Sequence, residues 1–527
     1  MSKGLDDVET KVQYHLGISK RITCLCSCGI RHTGGVILQQ AYARNVRSCR
    51  RYVNGKFQAG EPARKKVQMS GTVAEQLVVV MMFVERRMER RGCIIQFLVI
   101  QENCCKTGGT KMSETKPFQI ERQLVMDAYL RVKANRGSGG VDGMSLEEFD
   151  KDYKNHLYKI WNKMSSGSYM PPPVRLVEIP KKDGGIRPLG VPTVADRIAQ
   201  TVVAGLLEKD VDPLFHEDSY GYRPGKSAHQ ALAKARTRCW KYAWVIDLDI
   251  RSFFDNLPHD LLMKAVKKHT DCRWMLLYIE RWLVAPLQKS DGTIHPRTKG
   301  VPQGSAIGPV LANLYLHYAI DEWLRRNYPQ CPFERYADDS VIHCRTEAEA
   351  TKVKEALAER LKECGLELHA EKTKIVYCKD SNRGGDYTNI EFDFLGYTFK
   401  PRMAKNSIRG VWFTNWLPAA SSKSLTSMRR KMKEWTMLRT AGCQIEEIAN
   451  EINPVVRAWI GYYGKFYKAK LINFMREINL RIVKWARSKY LKVRPSIIKG
   501  LHWLKSIHQK QPDLFAHWKV GAVPTVE

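Results

Sequence analysis

Apolar and polar residues alternate in several short stretches through the middle of the chain, and helical spacing dominates on either side. From Pro117 to Asn135, Ile120, Leu124, Ala128 and Val132 fall on one face, which predicts an amphipathic helix. Ser145 with Glu148 has the spacing of a capping box opening the next helix. Val174 to Ile179 alternates after the stiff Pro171-Pro172-Pro173, and with Ile186-Arg187-Pro188 it predicts a hairpin turning at Asp183-Gly184-Gly185. A helix is expected from Asp196 to Lys209, and another from Pro309 to Asp321, where the proline suits a first helical position. Trp244 to Ile250 reads as a strand. Glu334 to Cys344 reads as a strand, a tight turn carrying Asp338 and Asp339, and a strand returning from Val341 to Cys344. Toward the C-terminus, Leu425, Met428, Met432 and Trp435 share one helical face, and Asn453-Pro454 is expected to open a further helical segment. Before Met112 the periodicity is poor, and only Leu77–Val84 and Cys93–Ile100 read as elements.

Composition sharpens this picture in two ways. The 527 residues carry a formal net charge of +32, which implies a polyanionic partner, nucleic acid first among them. Residues 1–111 contain 19 Lys+Arg against 8 Asp+Glu, a net of +11, so +21 remains with the rest of the chain. The apolar share of 44% is ordinary, and the longest apolar run, the eight residues Leu77–Val84, is far short of the ~18 a membrane span needs. Fourteen cysteines without a secretory signal argue for a reducing compartment rather than a disulfide framework. Seven of them precede Met112, but Cys24-Leu25-Cys26-Ser27-Cys28 with His32 lacks the spacing of a zinc knuckle or finger.

The chemistry begins with charges in unusual places. Asp247 and Asp249 sit inside an apolar, strand-like run, where an isolated carboxylate is costly unless paired or metal-bound. If that run lies beside the strand that follows Asp338 and Asp339, Asp249 and Asp338 converge. Carboxylates gathered there suit Mg²⁺, a hard cation that prefers oxygen ligands. Two such ions, typically ~4 Å apart, would activate a primer 3′-hydroxyl and neutralise the leaving pyrophosphate, which is the chemistry of a polymerase palm.

Other segments fit around that centre. Arg175, Lys181 and Arg187 are spaced to face one cleft, where they could hold a nucleoside triphosphate; a solvated hairpin is the alternative. The loop Tyr220 to Ser227, with Tyr222 and Arg223, suits a template strand through stacking and phosphate contact. Phe253 and Phe254 follow Asp249 closely, and a ring there could exclude a ribose 2′-hydroxyl; core packing fits either ring equally well. The glycine-rich Gly137 to Gly143 lacks the Lys and Ser/Thr of a P-loop, which argues against ATP binding and leaves turn chemistry.

Taken in order, these segments resemble bacterial group II intron-encoded reverse transcriptase–maturases. The matching runs are Gly140-Val141-Asp142-Gly143, Ile179 to Gly185 with Arg187-Pro188-Leu189-Gly190, Tyr220 to Gly225, Asp249 to Phe254, Pro302-Gln303-Gly304, Tyr336 to Asp339, Glu371-Lys372-Thr373-Lys374 and Phe394-Leu395-Gly396-Tyr397. The resemblance implies an α+β fold: a right-hand polymerase with fingers and palm over 112–410, thumb and helical maturase domain over 411–490, and a short basic tail over 491–527. It implies Asp249, Asp338 and Asp339 as catalytic metal ligands, with the Ile250 carbonyl as a further ligand and Mg²⁺ as cofactor. Arg175, Lys181 and Arg187 would hold the triphosphate beside Gln303, and Phe253 is favoured as the steric gate, with Phe254 left open. The implied RNA-contacting residues are Tyr222, Arg223, Lys372, Lys374, Arg429, Arg430, Arg457, Tyr462, Tyr463 and Lys465. Where the family usually has serine, this chain has Gly308.

The expected activity is RNA-directed DNA synthesis with deoxynucleoside triphosphates on an RNA template and DNA primer. The expected partner is the host group II intron RNA, whose splicing and mobility the protein would assist in a bacterial cytoplasm. The last 37 residues contain no cysteine and so no paired cysteines for a His-Asn-His endonuclease domain. Residues 1–111 are expected to be poorly structured and foreign to the native protein, with the working chain starting at Met112. Two rivals remain: a splicing factor with an idle polymerase fold, and a stand-alone reverse transcriptase of phage defence or DNA repair. The oligomeric state is open.

Overall fold

The computed structural model describes residues 116–180, 185–405, 410–440 and 442–526, together with the backbone of four short strands before residue 101. The chain divides into two compact units, Met1–Lys111 and Met112–Glu527. In the first, Glu9–Lys11 pairs with Thr23–Leu25 and Val79–Glu85 with Ile94–Ile100, both antiparallel. The remaining expectations for 1–111, including the cysteines near His32, lie outside the described residues.

The second unit opens with helix α1 (Arg122–Asn135), whose Val125, Ala128, Tyr129 and Val132 are buried. The expected capping box is present: Glu148 N–H donates to Ser145 Oγ at 3.1 Å and Ser145 N–H to Glu148 Oε2 at 2.8 Å. Strands β1 (Val174–Pro180) and β2 (Ile186–Val191) form the expected antiparallel hairpin; the turn residues 181–184, Lys181 among them, lie outside the described residues. Helix α2 (Val194–Val211) then crosses the core, capped by Thr193 Oγ1, which accepts from Asp196 N–H at 3.1 Å.

The central sheet places β3 (Trp244–Leu248) between β5 (Asp339–Cys344) and β6 (Lys374–Tyr377), with β4 (Phe333–Tyr336) beyond β5, all antiparallel. Because side chains alternate along a strand, Ile246, Leu248 and Ile342 enter one core, while Val245, Val341 and Val376 enter another. Helix α3 (Ala228–Cys239) packs Ala231, Leu232 and Ala235 on the second face. On the first lie α4 (Gly308–Leu316) and α5 (Glu347–Glu363), whose buried Val353, Leu357 and Leu361 share that core. The expected helix from Pro309 to Asp321 is interrupted: α4 stops at Leu316, and a π-helical turn, His317–Asp321, follows.

A three-stranded antiparallel sheet, β7 (Phe392–Phe394), β8 (Tyr397–Lys405) and β9 (Trp412–Ala420), joins the palm-like sheet to four C-terminal helices. These are α6 (Ser422–Lys433), α7 (Ile445–Tyr463), α8 (Lys468–Lys489) and α9 (Ile497–Lys510), which bury a core of their own. The expected face of α6 is buried, Leu425, Met428 and Met432 with Trp435 just beyond. One expectation is corrected here. Asn453-Pro454 does not open a helix; α7 runs through it from Ile445. An internal proline costs about 3 kcal/mol, but Ile448, Ile452 and Val456 are fully buried on either side of it. Asn453 also bonds Leu514 O at 2.9 Å and Ala516 N–H at 2.8 Å, which locks the helix at that point. No helix among the described residues is long and apolar enough to cross a membrane.

Candidate active site

The acidic residues meet because of register. Ser340 pairs with Leu248 and Val341 with Asp247, so the same ladder continued by one step sets Asp339 across from Asp249. On the other side Lys374 pairs with Asp247, the ladder breaks there, and the Lys372 side chain reaches Asp249 from the loop before β6. With a period of two, Asp247, Asp249 and Asp339 share the face whose other end is the apolar Val245–Val341–Val376 packing. Asp338 occupies the two-residue turn between β4 and β5, since Tyr336 pairs with Asp339.

That turn is held from beneath. Ala337 has a φ of +59°, a left-handed conformation rare for a residue with a side chain. Fully buried Arg335 donates to Ala337 O at 3.0 Å, to Asn313 Oδ1 at 2.9 Å and through Nε to Asp321 Oδ1 at 2.7 Å. Asn313 in turn donates to Gly221 O at 2.7 Å. Gly221 must be glycine: a Cβ there would stand 2.2 Å from Ala337 N. The π-helical turn supplies Asp321 to this network. Behind β4, Arg238 bridges Glu334 and Asp218 at 2.6 Å each.

Crowding shows in the proton affinities. Asp339 is pushed up to about 6, first by desolvation and then by the Asp338 and Asp249 carboxylates. Asp338 is raised by desolvation and by Asp249, with the Arg187 and Arg335 charges opposing. Asp247 is pushed up to about 7 by desolvation, then by Asp339, Asp393 and Asp249, with Lys374 opposing. Lys372 Nζ lies 3.7 Å from Asp249 Oδ2. Lys372 and Lys374, expected among the RNA contacts, stand at the carboxylates. Asp247 went unassigned from the sequence, although its two-residue spacing from Asp249 in a strand was a sufficient signal.

The Ile250 backbone is oriented for a role beside them. Ile250 pairs with Leu368, and the flanking ladder bonds use Asp249 O, which accepts from His369 N–H at 2.9 Å, and Arg251 N–H, which donates to Glu367 O at 2.8 Å. In an antiparallel ladder this turns the Ile250 N–H and C=O away from Leu368, toward the β5 side. A hard cation fits the donors present: three carboxylates and a backbone carbonyl, all oxygen, in a cleft where their mutual repulsion calls for positive charge. The three carboxylates do not by themselves close into a group within 4.8 Å.

These shifts carry a pH dependence. A carboxylate raised in the folded chain binds its proton more tightly folded than unfolded. Stability from Asp339 and Asp247 therefore falls as pH rises from the ordinary carboxylate range through about 6 and about 7. A divalent cation held there would compete with those protons. Mg²⁺ is expected to raise the melting temperature at about pH 7.5 and much less at about pH 5; equal shifts at both would contradict the site.

Arg187 and Arg175 share one face of the β1–β2 hairpin, since Arg187 pairs with Ile179, four residues from Arg175, roughly 13 Å along the strand. Arg187 Nε donates to Gln303 Oε1 at 2.7 Å, which joins two expected nucleotide contacts. Arg175 instead reaches Ser138 Oγ at 3.3 Å. Of the two rings, Phe253 is 2% exposed inside the core, whereas Phe254 is partly exposed and lines a cavity with Leu176, Gly190 and Gln303. Phe253, the ring the resemblance favoured, is thus the one packed in the core, and Phe254 is the one that reaches a cleft. Tyr222 is 53% exposed and close enough to Asp338 for that charge to raise its hydroxyl, after desolvation.

Three expected RNA contacts are redirected inward. Arg223 gives its donors to Asp212 Oδ1 at 2.7 Å and to the carbonyls of Asp212, His216 and Ser219. Tyr462 OH donates to Leu395 O at 2.9 Å, and Tyr463 OH to Ser424 Oγ at 3.2 Å. All three bind the protein's own chain, Tyr463 at the start of α6. Arg429 is bidentate to Glu477, the shortest bond being 2.6 Å. Arg430, Arg457 and Lys465 remain exposed.

Two family models match the chain. Residues 179–399 match the family described as reverse transcriptase (RNA-dependent DNA polymerase), and residues 425–503 match the group II intron, maturase-specific domain. Protein YkfC of Escherichia coli is 33% identical over 297 residues, covering 49% of this chain and 74% of YkfC. Group II intron-encoded protein LtrA of Lactococcus lactis is 32% identical over 201 residues, 38% of this chain and 33% of LtrA. The putative COX1/OXI3 intron 1 protein of Saccharomyces cerevisiae is also 32% identical over 201 residues, 38% of this chain and 24% of that protein. The match thus spans a third or less of these two intron proteins.

Proposed function

The chain belongs to the family of group II intron reverse transcriptase–maturases, and from that membership we propose that it copies RNA into DNA and binds a host intron RNA to assist splicing and mobility. The observation that carries the polymerase half is the register that puts Asp249 and Asp339 on one face, with Asp338 on the adjoining turn. In the right-hand architecture the β3–β6 sheet is the palm, α1, α2 and the β1–β2 hairpin belong to the fingers, and α6 to α9 supply thumb and maturase domain. We divide the chain at 111, 410 and 490, as the residue patterns suggest.

Polymerases of this family use divalent metals; here Asp249, Asp338, Asp339 and the Ile250 carbonyl would hold Mg²⁺. When bound, two such ions supply activation of the primer hydroxyl and neutralisation of charge on the leaving pyrophosphate. The chain's own residues do the rest. Arg335, through Ala337 O, sets the turn that aims Asp338. Arg187, oriented by Gln303, meets the triphosphate with a charge-assisted donor; Arg175, on the same face of the hairpin, is assigned to it too, and Lys181 is proposed as a further contact. Tyr222 at the cleft mouth is placed to stack on a base. Lys372, whose Nζ lies 3.7 Å from Asp249 Oδ2, would add a positive charge for the phosphates.

Phe254 is assigned to exclude the ribose 2′-hydroxyl. Phe254→Ala is expected to admit ribonucleotides at least about tenfold more readily relative to deoxynucleotides, a change of about 1.4 kcal/mol in discrimination. Phe253→Ala is expected to leave discrimination alone and to cost about 3–5 kcal/mol of stability, as removal of a buried phenylalanine does. Single-nucleotide incorporation with both nucleotide classes, beside thermal melts, separates the two; relaxed discrimination in the Phe253 variant alone would reverse the assignment.

The maturase-domain match over 425–503 supports the intron reading over a stand-alone polymerase. Exposed Arg430, Arg457 and Lys465 are the proposed phosphate contacts of that half. The bacterial relatives make a bacterial cytoplasm the proposed setting.

A further inference from the structure

At the far end of the catalytic hairpin from the aspartate turn, two buried cysteines face each other. The β4–β5 ladder pairs Phe333 with Ile342, and continued by two steps it pairs Cys331 with Cys344. Between them His343 N–H donates to Pro332 O at 2.8 Å, so the cysteine pair is of the non-hydrogen-bonded kind, which brings side chains closest. The two Sγ atoms are 3.9 Å apart, and the residues are 2% and 0% exposed. Glu349, in the first turn of α5, completes a group whose ligand atoms all lie within 4.8 Å of one another. Its carboxylate is oriented by two donors, Arg345 N–H to Oε2 at 2.7 Å and Gln330 Nε2 to Oε1 at 3.2 Å. Ligating carboxylates are held in this way by outer hydrogen bonds, and each oxygen keeps a lone pair for a metal.

We propose that Cys331, Cys344 and Glu349 form a binding site for a thiophilic divalent cation of the Zn²⁺ class, separate from the catalytic carboxylates. The geometry is close to what such an ion requires. Two thiolates on one tetrahedral Zn²⁺, each about 2.3 Å from it, stand about 3.8 Å apart. Two cysteines bonded as a disulfide would stand at about 2.05 Å, and a carboxylate would have no part in that bond. Charge balances as well. Without metal, the Cys344 thiol leans on Cys331 and the Cys331 thiol on the Glu349 carboxylate, a neutral–neutral–anionic set. On binding, two thiol protons leave to solvent, two Zn–S bonds and one Zn–O bond form, and the site's net charge stays at −1. Three protein ligands leave the fourth tetrahedral position to water. The ion would tie the start of β4, the end of β5 and the start of α5 into one knot at the base of the hairpin that carries Asp338 and Asp339. Mg²⁺, which disfavours sulfur, would not compete there.

The test uses the full chain, reduced and chelator-treated, titrated with Co²⁺ as a spectroscopic stand-in for Zn²⁺. Wild type is compared with Cys331→Ser/Cys344→Ser and with Glu349→Gln. Cysteines elsewhere titrate alike in all three, so the differences isolate this site. Wild type is expected to take up one more equivalent than the serine pair and to show thiolate-to-cobalt charge-transfer absorption that the pair lacks. Glu349→Gln is expected to bind that equivalent at least about tenfold more weakly. Its side chain is only partly buried, so this arm stands even where the serine pair fails to fold. Equal uptake in wild type and both variants would overturn the site. So would a Cys331–Cys344 disulfide that re-forms after reduction with Zn²⁺ present, which would make the pair a redox device.

Discussion

Asp249→Asn is expected to lower primer extension on an RNA template by at least about 10³-fold while leaving the melting temperature of the metal-free protein unchanged or slightly higher. The first half follows from the donor set. Asp249, one residue past the end of β3, is the carboxylate that side of the sheet gives to the proposed metal site, and loss of a cation's grip on the developing charge is worth several kcal/mol, about 1.4 kcal/mol per factor of ten. The second half follows from electrostatics. Asp249 raises the proton affinity of Asp338, Asp339 and Asp247, so removing its charge relieves repulsion in the folded state. A carboxylate that adds to the repulsion among its neighbours and packs in no core reads as chemistry rather than packing. Paired extension assays and melts check both halves; a large fall in melting temperature with proportionate loss of activity would mean that Asp249 is structural.

Arg335→Met is expected to cost about 3–5 kcal/mol of stability and to abolish extension together with it. Arg335 and Asp321 are both 0% exposed, so the variant would leave an uncompensated buried carboxylate. It would also strip donors from Asn313 Oδ1 and from Ala337 O, the carbonyl of the left-handed turn beside Asp338. Arg335→Lys should rescue little, because the planar guanidinium serves Asp321, Asn313 and Ala337 at once and an ammonium cannot span them. A chemical-denaturation midpoint unchanged in Arg335→Met would show that the network does not carry the turn.

Much of this was legible in the residues. Carboxylates within an apolar alternating run, and a second acidic pair on a tight turn, pointed to one acidic cluster at Asp249 and the Asp338–Asp339 turn, because period-two alternation and the cost of burying charge are local rules. The capping box at Ser145 and the β1–β2 hairpin follow from local rules too. What escaped depends on which partner a polar group finds. Arg223 looks like a phosphate contact by type and neighbours, yet Asp212 and three carbonyls engage it; Tyr462 and Tyr463 are RNA contacts by family resemblance alone, and Leu395 and Ser424 take their hydroxyls. Lys372 and Lys374 lie more than a hundred residues from Asp249 and Asp247 in sequence and meet them only where β6 and the loop before it lie beside β3. Phe253 and Phe254 are adjacent and identical in type, and only the packing of the following helical turn separates the buried ring from the accessible one. Pro454 inside α7 is the converse case, a local rule overridden by burial on both sides of it.

The most direct measurement is primer extension on an RNA template with Mg²⁺ and deoxynucleoside triphosphates, comparing the full chain with Asp338→Ala/Asp339→Ala. Extension by the wild type, lost in the double variant while both bind the template equally, is the expected result and fixes the cleft as the polymerase site. Extension that survives in the double variant, or none from a folded, template-bound wild type, would contradict the account.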